Sequence, residues 1–236
     1  MMKGFESIIR RGLVVSCQLE QSEPMHSPQH CALFAEAASL GGAVAVRAAG
    51  LEEIKEIRAS VRMPIIGCIR SSYPDGSPLV TPTLDDVEAL ARLGVDVIAI
   101  DATTRTRPGT TFDGPGFLEE VRRRYPSAYL LADVSSYEEG ISAAAAGADA
   151  ISTVQFGRTP QTFELAENVD APFNLLRRLV GGLTVPIFAE GFIWSTSDAE
   201  AAISTGAYGV IVGGAITRPR VLTQLFSQAV GDVLEG

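Results

Sequence analysis

Several residue types are scarce in this chain, and each scarcity removes a class of function. Cysteine occurs only at Cys17, Cys31 and Cys68, an odd number with no C-x-x-C pair. That argues against a disulfide framework and against a zinc site, and leaves buried thiols as the expected role. The two histidines, His26 and His30, flank Pro28, and the proline disfavours the helical i,i+4 geometry at which two imidazoles share one ion. No metal is expected. Apolar runs are strand-length, well short of the roughly 18 residues that a membrane span needs. Met1–Gly12 carries charge but no apolar h-region, so it does not read as a signal peptide. A cytoplasmic location without a membrane partner is the expectation. Positive charge is also in deficit. The formal net charge is −9, which disfavours a nucleic-acid partner, because phosphate backbones select basic surfaces. Lysine appears only at Lys3 and Lys55.

The hydrophobic content is 46% with 20% charged residues, enough to bury a large core in a 236-residue chain. Short runs of β-branched and aliphatic residues recur at 13–17, 43–47, 64–69, 95–101, 128–133, 149–153, 185–190 and 208–213. Helical patterns lie between them at 29–40, 51–60, 84–93, 115–124, 136–146, 172–181, 196–205 and 219–232. Thr83 and Ser195 stand where N-caps belong, and Gly41, Gly94, Gly147 and Gly206 where helices stop. Strict strand–helix alternation predicts a parallel sheet, and eight units close a barrel. The expected fold is therefore α/β, a (β/α)8 TIM barrel occupying 1–236 as a single domain. The competing open, doubly wound sheet lacks its G-x-G-x-x-G turn after the first strand.

The carboxyl tips of the eight runs read Gln18, Arg47, Arg70, Asp101, Asp133, Thr153, Glu190 and Gly213. In a barrel these face one mouth, where active sites lie. The last two units add Gly191 after Glu190, and Gly214 with Arg218 after Gly213. Glycine there lets backbone N–H groups approach a ligand, and the loops after the last two barrel strands commonly hold phosphate. An anion between Gly191 and Gly213-Gly214, with Arg218 in reach, is expected. Ser71–Thr83, broken by Pro74, Gly76, Pro78 and Pro82, reads as a mobile lid. Gln155–Pro172 should border the same mouth.

These motifs together resemble one family. "GLVVSCQ" followed by "EPMHSP", "GGAVAVRA" with "EEIKEIR", "PIIGCIR", "DVIAIDAT" with "RTRP", "LLADVSSYEEG", "FAEG" and above all "VGGAITRP" are similar to the N-acetylmannosamine-6-phosphate 2-epimerases of sialic acid catabolism. The resemblance implies a cytoplasmic (β/α)8 barrel, commonly a homodimer, that interconverts N-acetylmannosamine 6-phosphate and N-acetylglucosamine 6-phosphate without a redox cofactor. It assigns catalysis to Glu190, substrate contacts to Gln18, Arg47, Asp133 and Arg218, and phosphate binding to Gly191, Gly213 and Gly214. From their strand tips Asp133 and Arg70 join Glu190 as candidate catalytic residues, and Thr153 joins the candidate substrate contacts. Arg70 departs from the pattern, because the family has a catalytic lysine there. Val154 and Arg158 also differ, standing where a hydroxyl and an aromatic are common. A lysine in a desolvated site can shed its proton and act as a base, whereas a guanidinium keeps its charge. The proton at C2 would then go to Glu190 or Asp133. A related phosphosugar isomerase and a sugar-phosphate-binding protein that has lost catalysis remain alternatives.

Overall fold

A computed structural model describes residues 4–168 and 170–235; Lys3 lies outside them. Eight strands form a closed parallel barrel: β1 (Gly12–Ser16), β2 (Ala45–Ala49), β3 (Ile65–Cys68), β6 (Val97–Asp101), β7 (Leu130–Asp133), β8 (Ala150–Ser152), β9 (Ile187–Glu190) and β10 (Gly209–Val212). β10 closes on β1 through the register Gly12↔Gly209 to Val15↔Val212. Between β3 and β6 stands an antiparallel hairpin, β4 (Arg70–Ser72) and β5 (Pro78–Val80). The helices are α1 (Pro28–Leu40), α2 (Leu51–Ser60), α3 (Leu84–Leu93), α4 (Gly114–Arg124), α5 (Tyr137–Ala145), α6 (Ala171–Gly182), α7 (Thr196–Ser204), α8 (Gly214–Thr217) and α9 (Pro219–Glu235).

The helix starts follow the chain chemistry. Thr83, Ser136 and Ser195 each cap an N-terminus, and the carboxylates of Asp86, Glu139 and Asp198 return to the cap backbone. At the end of α3, Gly94 takes the left-handed conformation, φ +74°, which costs glycine nothing for want of a Cβ.

Two cores follow from the two faces of the strands. One lies between strands and helices and includes Val46, Ile65, Ile98, Ile100, Leu130 and Ile187. The other fills the barrel axis with Val14, Ala45, Ile66, Val97, Ala99, Leu131, Ala150, Phe188 and Ile211. Phe5 meets Phe188 and Tyr208 edge-on at ring centroid distances of 6.0 and 6.4 Å and plugs the amino-terminal end. Because strand side chains alternate with period two, the next inward position towards the carboxyl end is fixed on every strand. Those positions are Ser16, Arg47, Cys68, Asp101, Asp133, Ser152, Glu190 and Gly213. The axis is thus apolar below and polar above, in one turn of the same register.

Three expectations need correction. Arg47 is not a strand tip, since β2 runs on to Ala49 and the guanidinium is enclosed within the barrel. The stretch 71–83 is not an open loop, because Tyr73, Leu79 and Val80 are buried and the hairpin pairs across Arg70↔Val80. The closing helical pattern at 219–232 is preceded by a separate turn of helix, α8, and is longer than the sequence pattern indicates.

Candidate active site

Above the polar layer opens a cavity of about 370 Å³, lined among others by Gln18, Arg47, Arg70, Gln155, Arg158, Glu190 and Arg218. At its floor Arg47 links two acids. Its guanidinium donates to both carboxylate oxygens of Asp133, Nη1 to Oδ1 at 3.0 Å, and Nη1 also donates to Glu190 Oε2 at 2.5 Å. Burial alone would lower the pKa of Arg47, but the charges of Asp133 and Glu190 outweigh it and hold the proton more firmly. Burial pushes Asp133 up to about 6 against the pull of Arg47. Removing one member of such a buried pair typically costs about 3–5 kcal/mol, so the pair fixes geometry.

Glu190 is held by three further bonds. Ser152 Oγ donates to Oε2 at 2.7 Å, Thr153 Oγ1 donates to the Glu190 carbonyl at 2.9 Å, and the Glu190 N–H donates back to Thr153 Oγ1 at 2.9 Å. Oε1 makes no hydrogen bond among the described residues. One carboxylate oxygen is therefore anchored, and the other is available to a ligand in the cavity.

The remaining expected residues divide. Gln18 is half-buried on the cavity wall, with Cys68 Sγ donating weakly to its Oε1 at 4.0 Å. Arg70 opens the hairpin, lines the cavity and donates to the Leu19 carbonyl at 2.6 Å. Asp133 is spent on Arg47 and does not line the cavity. Thr153 does not face the mouth: it lies on the helix side of β8, and its hydroxyl is engaged by the Glu190 backbone. The inward residue is Ser152. Asp101, also expected at the mouth, sits fully buried beneath it, accepting from Thr103, Arg105 and Gln155. The thiols are passive, since burial pushes Cys17 up to about 12 and Cys68 up to about 11.

At the far wall Gly191 has φ +83° and open space where a side chain would be. A Cβ on Gly214 would lie 2.8 Å from the Trp194 ring, so that position admits only glycine while the indole stays in place. Arg218 Nη1 pairs with Glu20 Oε1 at 2.6 Å, while its buried Nε has no partner among the described residues. Two cavity residues were not predicted as contacts. Gln155 is buried with a free carbonyl oxygen. Arg158 makes no side-chain hydrogen bond or ion pair among the described residues, and its guanidinium feels the charges of Glu190, Arg218, Arg47 and Asp133. The sequence signal for both was their place in the 155–172 segment after β8.

Comparison with known proteins gives the family and the fold. A family model described as "Putative N-acetylmannosamine-6-phosphate epimerase" matches residues 31–232. A protein of Caldanaerobacter subterraneus subsp. tengcongensis, described as "Putative N-acetylmannosamine-6-phosphate 2-epimerase", is 44% identical over 218 residues, covering 92% of this chain and 90% of its own. One of Borreliella burgdorferi with the same description is 40% identical over 227 residues, covering 95% and 97%. The solved N-acetylmannosamine-6-phosphate 2-epimerase of Clostridium perfringens superposes with a TM-score of 0.86 at 36% identity, over 96% of each chain. Thiamine phosphate pyrophosphorylase of Pyrococcus furiosus, at 18% identity and TM-score 0.59, shares the fold alone.

Proposed function

Since this chain belongs to the N-acetylmannosamine-6-phosphate epimerase family, we propose that it interconverts N-acetylmannosamine 6-phosphate and N-acetylglucosamine 6-phosphate by removing and returning the C2 proton. The observation that carries this reading is the Glu190 carboxylate, fixed at Oε2 by Arg47 and Ser152 and free at Oε1 over the cavity. In the ring-opened sugar C2 is next to an aldehyde, so its loss of a proton gives an enolate that positive charge stabilises. Glu190 Oε1 takes the proton from one face of C2, and a proton relayed through a substrate hydroxyl reaches the other face of the planar intermediate, which inverts the centre. Arg70 and Arg158, both on the cavity wall, supply charge to the enolate and transfer no proton. Asp133 acts through Arg47, which it orients.

The phosphate lies between Gly191 and Gly213-Gly214, where side chains are absent and Arg218 faces the cavity. The working form is a homodimer. Support comes from α9, which packs on α8 and ties to the barrel through Arg220 and Glu23, yet leaves Phe226, Val230, Val233 and Leu234 in solvent.

The test is deuterium wash-in at C2 of N-acetylmannosamine 6-phosphate in heavy water. The protein is expected to exchange C2, and Glu190→Gln to lose at least about 10²-fold of the rate while still binding the sugar phosphate. Tight binding with no exchange in the unaltered protein would instead assign it as a sugar-phosphate-binding protein.

A further inference from the structure

We propose that Gln155 is a specificity residue that reads the N–H of the substrate's C2 acetamido group through its carboxamide oxygen. The inference rests on the amino sugar phosphate being the substrate. Gln155 is 1% exposed and lines the cavity. Its Nε2 donates to Asp101 Oδ2 at 3.0 Å, and its Oε1 is buried with no hydrogen-bond partner among the described residues.

The orientation of the carboxamide follows from its neighbour. Asp101 is surrounded by donors: Thr103 N and Oγ1 reach Oδ1 at 2.9 and 2.7 Å, and Arg105 Nη2 reaches Oδ2 at 3.0 Å. A carboxylate so placed accepts only. A flipped Gln155 would set carbonyl oxygen against carboxylate oxygen, so Nε2 must face Asp101 and Oε1 must face away from it. A glutamine with only a packing role would have both ends satisfied. A buried carbonyl oxygen left unpaired is costly, and a ligand donor removes that cost.

The chemistry of the substrate narrows the donor. Its hydroxyls rotate and can either donate or accept, so an acceptor discriminates weakly among them. The amide N–H only donates, in one direction. It is attached to the carbon at which Glu190 works, and Gln155 lies on the turn leaving Ser152, whose hydroxyl holds Glu190. Acceptor and base therefore line the same cavity. A site built to hydrogen-bond one group rejects the analogue lacking it, because the buried partner is then stranded.

The experiment compares binding of N-acetylmannosamine 6-phosphate with 2-O-acetylmannose 6-phosphate, in which oxygen replaces the N–H, to the full chain by calorimetry. The unaltered protein is expected to prefer the amide by about tenfold or more. In Gln155→Met the preference should fall to within about twofold, at unchanged phosphate dependence. Asp101→Asn, which removes the carboxylate that orients the carboxamide, should lower it likewise and serves if the first variant does not fold. Equal binding of the two sugars by the unaltered protein overturns the role of Gln155 and leaves the epimerase reading standing. So does a full preference retained in either folded variant. Binding of neither sugar overturns both.

Discussion

At the residue scale the decisive contrast is between two acids on β7 and β9, the strands either side of β8. Both oxygens of Asp133 are consumed by Arg47, whereas Glu190 keeps one free. Asp133 is thus a positioning residue whose protonation state matters indirectly. As the pH falls through about 6 it takes up a proton, and Arg47 loses one of the two negative charges that hold it. The C2 exchange rate is therefore expected to decline on the acid side with a midpoint near 6. A rate that stays flat until about 4, the ordinary carboxylate range, would remove Asp133 from the account. The sequence made Glu190, Arg47 and Asp133 legible as polar ends of apolar runs. It misassigned Thr153 for a physical reason: with period-two alternation, a boundary off by one residue exchanges the inward face for the outward one. Ser152 is the residue in register with Asp133. Gln155 and Arg158 escaped because they sit beyond the strand, where no periodicity marks direction.

At the element scale the hairpin after β3 is the least expected part. Its prolines and glycine read as a loop with little to hold it. Arg105 supplies what composition could not show. Its guanidinium lies 4.0 Å from the Tyr73 ring centroid and donates to Ser77 Oγ at 2.7 Å, to the Pro78 carbonyl at 3.0 Å and to Asp101 at 3.0 Å. Arg107, buried beside it, donates to the Thr81 and Pro82 carbonyls at 2.9 and 3.2 Å. The "RTRP" motif therefore works as a clamp on the hairpin, which carries Arg70, Pro78, Leu79 and Val80 to the cavity wall. Hydrogen exchange should show the amides of Ser77, Leu79 and Val80 protected in the unaltered protein and further slowed by substrate. In Arg105→Ala their exchange should quicken by about tenfold or more, as loss of a charged hydrogen-bond group implies. Unchanged exchange in that variant would mean that the hairpin is held by its own pairing.

At the scale of the whole molecule, the barrel is readable from alternation, from the N-caps Thr83 and Ser195 and from helix-ending glycines, because each is local chemistry. The position of α9 is not. Its amphipathic pattern announces a buried face but not which surface buries it, and among the described residues that face meets little beyond α8. Phe226 is 72% exposed and Val233 80%, areas that a second copy would cover in the proposed homodimer. Sedimentation at micromolar concentration should give a dimer, and Phe226→Glu should shift it towards monomer without changing the melting of the barrel. A monomer in the unaltered protein would contradict this use of α9.

The barrel as a whole carries out C2 chemistry with no lysine among the described residues that line its mouth, and restoring one tests that claim most directly. C2 deuterium exchange on N-acetylmannosamine 6-phosphate should be compared for the protein and for Arg70→Lys. If Glu190 is the base that removes the proton and Arg70 contributes only charge, the new amine adds a group that can shed its proton. The rate should then rise by up to the roughly 10²- to 10⁴-fold that general-base catalysis provides. Strong exchange in the unaltered protein that drops on Arg70→Lys would contradict the account, because it would give the guanidinium itself a part in the reaction that an amine cannot fill.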